Sequence, residues 1–388
     1  MELTKTQWFF FVGAFTLLTA VFFVSCSNNN KGLDLDPCSS EHLFAHHAVP
    51  IPDIAFLAPI GTMSPHGGSP LPKRHTGYML NKEDVPVIAP GDFIITEIRE
   101  TTYVTSPTRP GHKDYSVSFA VCAEVSGHFG HISALETHIL DQAKGGMKCD
   151  EYDTVDEHIR SCKARVKIKV KAGDSLGLVG VAPHSPALDM GMIDTRTSDY
   201  VNPSRYAVGG GGSLCPWDWF EAPLKAELYP LIGDFSAFTT EAPECGSMAV
   251  DQAGTAKGRW TLQSAPANGK DPTASNFFVL APNPYAGTTE VVISTRIAAL
   301  DVATLPAFKL NSSGRVNIAP ADIQNDGLIY CYNPITNPIN QSTFSFLVQM
   351  ISASVLRAEK VEHAPGDSVC NNAPSTWSFT GNAVNLIR

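Results

Sequence analysis

The chain has 388 residues, a formal net charge of −10, 43% hydrophobic and 17% charged residues. That length suits two ordinary domains and that apolar content builds packed cores, which excludes a disordered chain. The acidic balance argues against a nucleic-acid partner, which needs a dense basic face, and 30 Gly with 28 Pro favour turns and short strands over long helices.

The N-terminus reads as an export signal. Lys5 precedes an apolar run from Trp8 to Val24, which ends in Ser25 and Cys26. A small residue and a Cys closing such a run resemble a bacterial lipoprotein box. The resemblance implies that Cys26 becomes the acylated N-terminus of the mature protein. Residues 1–26 are then the signal and 27–58 a polar tether and lead-in. An ordinary cleaved signal peptide and an uncleaved anchor are the two alternatives, because 17 apolar residues approach spanning length. Ser27 after the Cys resembles outer-membrane sorting, should the host be Gram-negative. The expected place is the cell envelope, held to the membrane by lipid.

Removing Cys26 from nine cysteines leaves eight, an even set that in an exported chain predicts disulfides. Cys149 and Cys162 flank an acidic stretch and are spaced to close a local loop. The other pairings stay open. No CxxC spacing is present, so a structural zinc knuckle is not expected.

Residues 59–208 read as β-rich. Val85 to Ile88, Phe93 to Ile98, Tyr115 to Val125 and Val166 to Val170 read as strands, and Lys171 to Gly180 places Gly at turns among apolar residues. Lys163, Arg165, Lys167, Lys169 and Lys171 alternate with apolar residues, which predicts a half-buried strand with a solvated basic face. Its attraction to anionic wall polymers is weak on this reading. Residues 135–161 are polar and read as a helical or looped insertion. Gly209 to Ser213 reads as a linker, and Trp217, Phe220, Leu224, Leu228 and Leu231 at helical spacing complete a linker and helical segment over 209–240. Residues 241–388 predict a second β domain of about eight short strands, a sandwich or barrel of unknown role. The last of these strands is expected at Thr376–Phe379.

Three strings carry the chemistry: Arg74-His75-Thr76-Gly77-Tyr78-Met79, Phe129-Gly130-His131-Ile132-Ser133 and Pro186-Ala187-Leu188-Asp189-Met190-Gly191. In this order they resemble signatures of the lysostaphin/LytM-type murein endopeptidases, zinc enzymes of the cell wall. The resemblance covers about a third of the chain. It implies a mainly β chain whose first domain is a LytM-like (duplicated hybrid motif) β-sandwich. It also implies roles. A His and an Asp four residues later bind zinc, a closing His-x-His supplies the base and then the third ligand, and a separate His assists the transition state. His75 takes the first ligand position, but Met79 stands in the second. Asp189 stands in the third, and Ala187 stands where the base should be. His131 matches the assisting His and is the catalytic candidate. His75 and Asp189 are the metal candidates, with His128 and His184 near enough to be recruited. Eleven of the twelve His fall between His42 and His184, so spare ligands exist; an isolated His in such a set is ordinarily a surface or hydrogen-bonded residue.

A hydrolytic zinc needs about three protein ligands, an open position for water and a base. The expectation is therefore a non-catalytic envelope protein that binds peptidoglycan or an envelope protein, with no resident cofactor. One alternative is an active zinc hydrolase with a rearranged site. Another is a surface protein whose function lies in the C-terminal β domain.

Overall fold

Period-two alternation broken by Gly and Pro builds two sheets rather than bundles. The computed structural model describes residues 32–39, 43–63, 71–153, 157–180, 187–203, 211–234, 237–239, 242–248, 250–265, 276–302, 305–335 and 342–388. Within these the chain is mainly β, and all its strand ladders are antiparallel.

The first sheet holds β1 (Ile54–Ala58), β2 (Thr76–Leu80), β3 (Val85–Ile88), β4 (Phe93–Thr105), β5 (Lys113–Ala120), β6 (Val125–Leu135), β7 (Lys148–Asp153), β8 (His158–Val170), β9 (Ser175–Val179), β10 (Ala187–Asp194) and β11 (Gly212–Leu214). Its main path runs β1-β2-β10-β6-β5-β4-β8-β7; β11 pairs with β10, and β9 joins β3 to β6. The inner face is apolar. Ile98, Val117, Phe129, Leu188 and Met190 are buried there with Phe44, Trp217 and Phe220. Phe119 packs between Phe93 and Phe129, with ring centroids 4.6 and 5.1 Å away. Each such side chain contributes about 2 kcal/mol by leaving water.

The second sheet holds β12 (Gly258–Leu262), β13 (Phe277–Pro282), β14 (Glu290–Thr295), β15 (Ala307–Lys309), β16 (Tyr330–Tyr332), β17 (Phe344–Ser352), β18 (Val355–Glu362) and β19 (Val384–Ile387), in the order β15-β14-β13-β12-β19-β18-β17-β16. Trp260, Phe278, Phe308, Tyr332 and Phe346 fill its own core.

Five details differ from the sequence expectation, the first being that β11 (Gly212–Leu214) pairs with β10 where the end of a linker is expected. The stretch expected as lead-in enters the first core, since Phe44, Ala48, Val49, Ile54 and Leu57 are buried in it. Residues 135–161 split into α1 (Thr137–Lys144) and the hairpin strand β7, because Cys149 pairs across the ladder with Cys162. The helical stripe after the Gly run is broken into a 3-10 turn (Pro216–Trp219), α2 (Ala222–Leu228) and a second 3-10 turn (Tyr229–Leu231). Pro216, Pro223 and Pro230 each start a new piece, since proline has no amide to continue the previous one. The strand expected at Thr376–Phe379 is irregular; Pro374 opens a 3-10 turn there, and Trp377 is buried beside Cys331 and Cys370. The closing strand is β19 instead.

Eight cysteines form four disulfides: Cys38–Cys122, Cys149–Cys162, Cys215–Cys245 and Cys331–Cys370. Such a set fits an oxidising, exported environment. Among the described residues no helix is long and apolar enough to cross a membrane. The export signal and Cys26 lie outside the described residues.

Candidate functional site

Strands β2, β10 and β6 lie side by side, and their outward positions build the site. Leu188 and Met190 turn into the core, so Ala187, Asp189 and Gly191 face out. The ladder sets Asp189 opposite Gly77 on one side and Gly130 on the other, and Ala187 opposite Met79. His75, just before β2, shares the outward parity of Gly77 and Met79. His128 lies opposite Gly191. The glycines are there for close approach. A methyl group on Gly191 would stand 2.3 Å from Cε1 of His128, and one on Gly130 would stand 3.3 Å from Cβ of Asp189.

His131 reaches this face through a bulge. Tyr115 pairs with Ile132 while Val117 pairs with Phe129, so Ser116 alone faces both Gly130 and His131. Strict alternation would turn His131 inward after Gly130. The extra residue turns Ile132 into the core instead, where it is fully buried. His131 takes φ 65°, in the left-handed region that is uncommon for a residue with a Cβ. Such strain, of order 1–3 kcal/mol, tends to persist at functional sites.

The side chains form a line. His131 Nδ1 lies 2.8 Å from Asp114 Oδ2, and His131 Nε2 lies 3.2 Å from Asp189 Oδ2. His75 Nε2 lies 3.2 Å from the same Asp189 oxygen, outside hydrogen-bonding alignment with it. The His75 and His128 rings meet edge to face, with centroids 5.8 Å apart. Arg74 fixes the start of β2 by donating to Ser213 Oγ at 2.8 Å and pairing with Asp199 at 3.2 Å.

Charge follows from this line. Burial works against charging His131, but Asp114 and Asp189 outweigh it and hold its pKa well above the ordinary value. Burial works to raise Asp189, but His75 and His131 outweigh it and hold that carboxyl well below its usual range. His75 is lowered, by burial first, with Asp189 opposing. Burial, then His75, pushes His128 down to about 4. The result is one cationic imidazole between two carboxylates, flanked by two imidazoles held neutral.

A pH series separates these groups. A raised His131 contributes stability fully present below its unfolded pKa near 6.5 and lost as pH rises through its folded value. A lowered His128 acts on the other limb: stability falls as pH drops from 6.5 towards about 4, by at most about 3 kcal/mol. Urea unfolding of wild type and His128→Gln between pH 7 and 4 is expected to give a flatter acid limb for the variant. Parallel limbs would show that His128 titrates normally.

The structure brings His75, Asp189, His131 and His128 together. His184 lies outside the described residues. Asp114 was not singled out from sequence; it occupies one polar position of an alternating strand, and only the pairing of β5 with the bulged β6 gives it a role. Among the described residues, the one trio of Cys, His, Asp and Glu with donors within 4.8 Å of one another is Cys38, Cys122 and Glu124, and its sulfurs form a disulfide. The donors of His75, Asp189 and His131 do not fall within that distance as one group, and Met79 offers only a thioether.

No family model matches the chain, and no curated protein does. Among solved structures it is similar to lysostaphin, as seen in an NMR solution structure. The identity is 12%, over 73% of this chain and 89% of that one, with a TM-score of 0.21. A superposition that loose says nothing about function.

Proposed function

We propose that this is an exported, lipid-anchored cell-envelope protein whose first sheet is a murein-peptidase-like domain with a dismantled metal site. It acts by binding peptidoglycan or an envelope protein, not by hydrolysis. The supporting observation is the register of β2 and β10. Positions 75 and 79 flank position 77, which lies opposite 189, and 187 lies opposite 79. That triangle, with 187 beside it, is the layout that the ligands and base of the resembled peptidases require, and here two of its four corners are Met79 and Ala187. Of the remaining groups, Asp114 and Asp189 hold His131 as a cation between them, so it is not free to act as a base, and no imidazole stands at position 187, where the base of the resembled peptidases lies. The four disulfides and the signal ending in Cys26 support the envelope location.

Two measurements test the reading. Protein purified without chelator is expected to carry far less than one zinc per chain. It is also expected to leave peptidoglycan peptides uncut when zinc is added, while still co-sedimenting with insoluble peptidoglycan or an envelope partner. Stoichiometric zinc lost in His75→Ala, with chelator-sensitive hydrolysis, would replace this reading with that of an active hydrolase.

A further inference from the structure

The basic strand and the His/Asp line share one face of the first sheet. The ladder links them directly: Arg165 on β8 pairs with Glu97 on β4, Glu97 with Ser118 on β5, Ser118 with His128 on β6, and His128 with Gly191 on β10. Residues paired across a ladder point to the same side. At about 4.8 Å per strand, the cation row stands about 14 Å from the site. Ala164, Ile168 and Val170 turn into the core, while Lys163, Arg165, Lys167 and Lys169 are exposed. The carboxylate paired with Arg165 across the ladder, Glu97, is engaged by Arg99 at 3.5 Å. None of the four exposed cations makes an ion pair among the described residues. Between the row and the site lie the Arg99–Glu97 pair on β4 and then Ser116 and Ser118 on β5.

Four unneutralised cations in a row are uncommon on a chain of net charge −10. Two strand residues rise about 7 Å, so the row is a line about 20 Å long, with one irregularity in the ladder between Arg165 and Ile168. Such a line complements a chain bearing repeated anionic groups. It complements a bilayer less well, because no exposed large apolar side chain lies between Lys163 and Lys169 to enter the interface.

We infer that this face is a docking surface for a linear polyanion, whose phosphate or carboxylate groups lie along Lys163, Arg165, Lys167 and Lys169 and which thereby runs beside the His/Asp line. This names the chemistry received by a face that the proposed function already treats as binding, and it rests on that reading.

The test uses the full exported chain with long-chain inorganic polyphosphate and poly-L-glutamate as separate probes, and phosphatidylglycerol vesicles as a third. Binding to at least one polymer is expected, weakening about a hundredfold between 50 and 200 mM salt if all four cations engage. The variant K163Q/R165Q/K167Q/K169Q is expected to lose at least tenfold in affinity and most of the salt dependence. K144Q/K309Q, at exposed positions elsewhere, is expected to bind as wild type does. Unchanged polymer binding by the quadruple variant, or binding to vesicles alone, overturns the inference. An unchanged thermal melting curve for the variant removes misfolding as the cause of a loss. Failure of polymer binding with hydrolysis still absent sinks this inference and leaves the proposed function standing; hydrolysis by the unaltered protein sinks only the latter.

Discussion

The triple variant Met79→Asp, Ala187→His, Asp189→His is expected to take up one zinc ion per chain, where the unaltered protein takes up far less. The reason lies in the ladder. Met79 and Ala187 form a cross-strand pair, and such pairs hold their Cβ atoms about 5 Å apart. Asp189 sits one step along, opposite Gly77, which has no side chain to obstruct it. A carboxylate at 79 and an imidazole at 189 therefore converge with His75 from three points around one centre, which is the ligand number a hydrolytic zinc requires. An imidazole at 187 stands beside that centre as a base. Leaving Ala187 in place separates the two roles. The double variant Met79→Asp, Asp189→His should hold zinc but cleave about 10²–10⁴-fold more slowly than the triple, the usual worth of a positioned base. Metal analysis after dialysis and a peptide-release assay read the two outcomes. A folded triple variant without zinc would mean that the register only happens to match.

Replacing both Cys38 and Cys122 by Ala is expected to destabilise the first sheet by about 4–5 kcal/mol, more than any other single bridge would. Their separation of 84 residues is the longest of the four, and a cross-link restricts the unfolded chain more as the loop it closes lengthens. The bridge also ties residues before the first strand to the β5–β6 turn, where Cys38 N donates to Glu124 Oε2 at 2.9 Å. The Cys149–Cys162 bridge closes only 13 residues within one hairpin, so its removal is expected to cost about 3 kcal/mol. Hydrogen exchange of the β5 and β6 amides, compared between the two double variants, reads the difference. Equal protection in both would show that the N-terminal segment is not held through Cys38.

How much of this was legible differs by element. The strands at 85–88 and 166–170 are readable because one face of each is buried, and burial writes itself as alternation or as a β-branched run. The disulfide character was readable from an even count, and the local Cys149–Cys162 pair from its spacing; the three long-range pairs were not, because spacing says nothing about which distant segments meet. At 216–231 the apolar spacing is helical, but three prolines cut the backbone into three pieces. The core role of the lead-in is invisible in sequence, because Phe44 and Leu57 become core only once another surface exists to cover them.

The sequence by itself determined a mainly β chain, a set of paired cysteines, and the residue types His75, Met79, His131, Ala187 and Asp189 at their spacings, since composition, parity and local order are properties of the chain alone. Tertiary structure decided what those residues do. Register, which depends on how strands far apart in sequence pair, set Asp189 between His75 and His131 and set Met79 against Ala187. A bulge opposite Ser116, which no period reveals, carried His131 to the outer face and onto Asp114. The same ladder brought the cations of β8 and the imidazoles of β6 onto one surface, because neighbours across a sheet share a side whatever their distance along the chain.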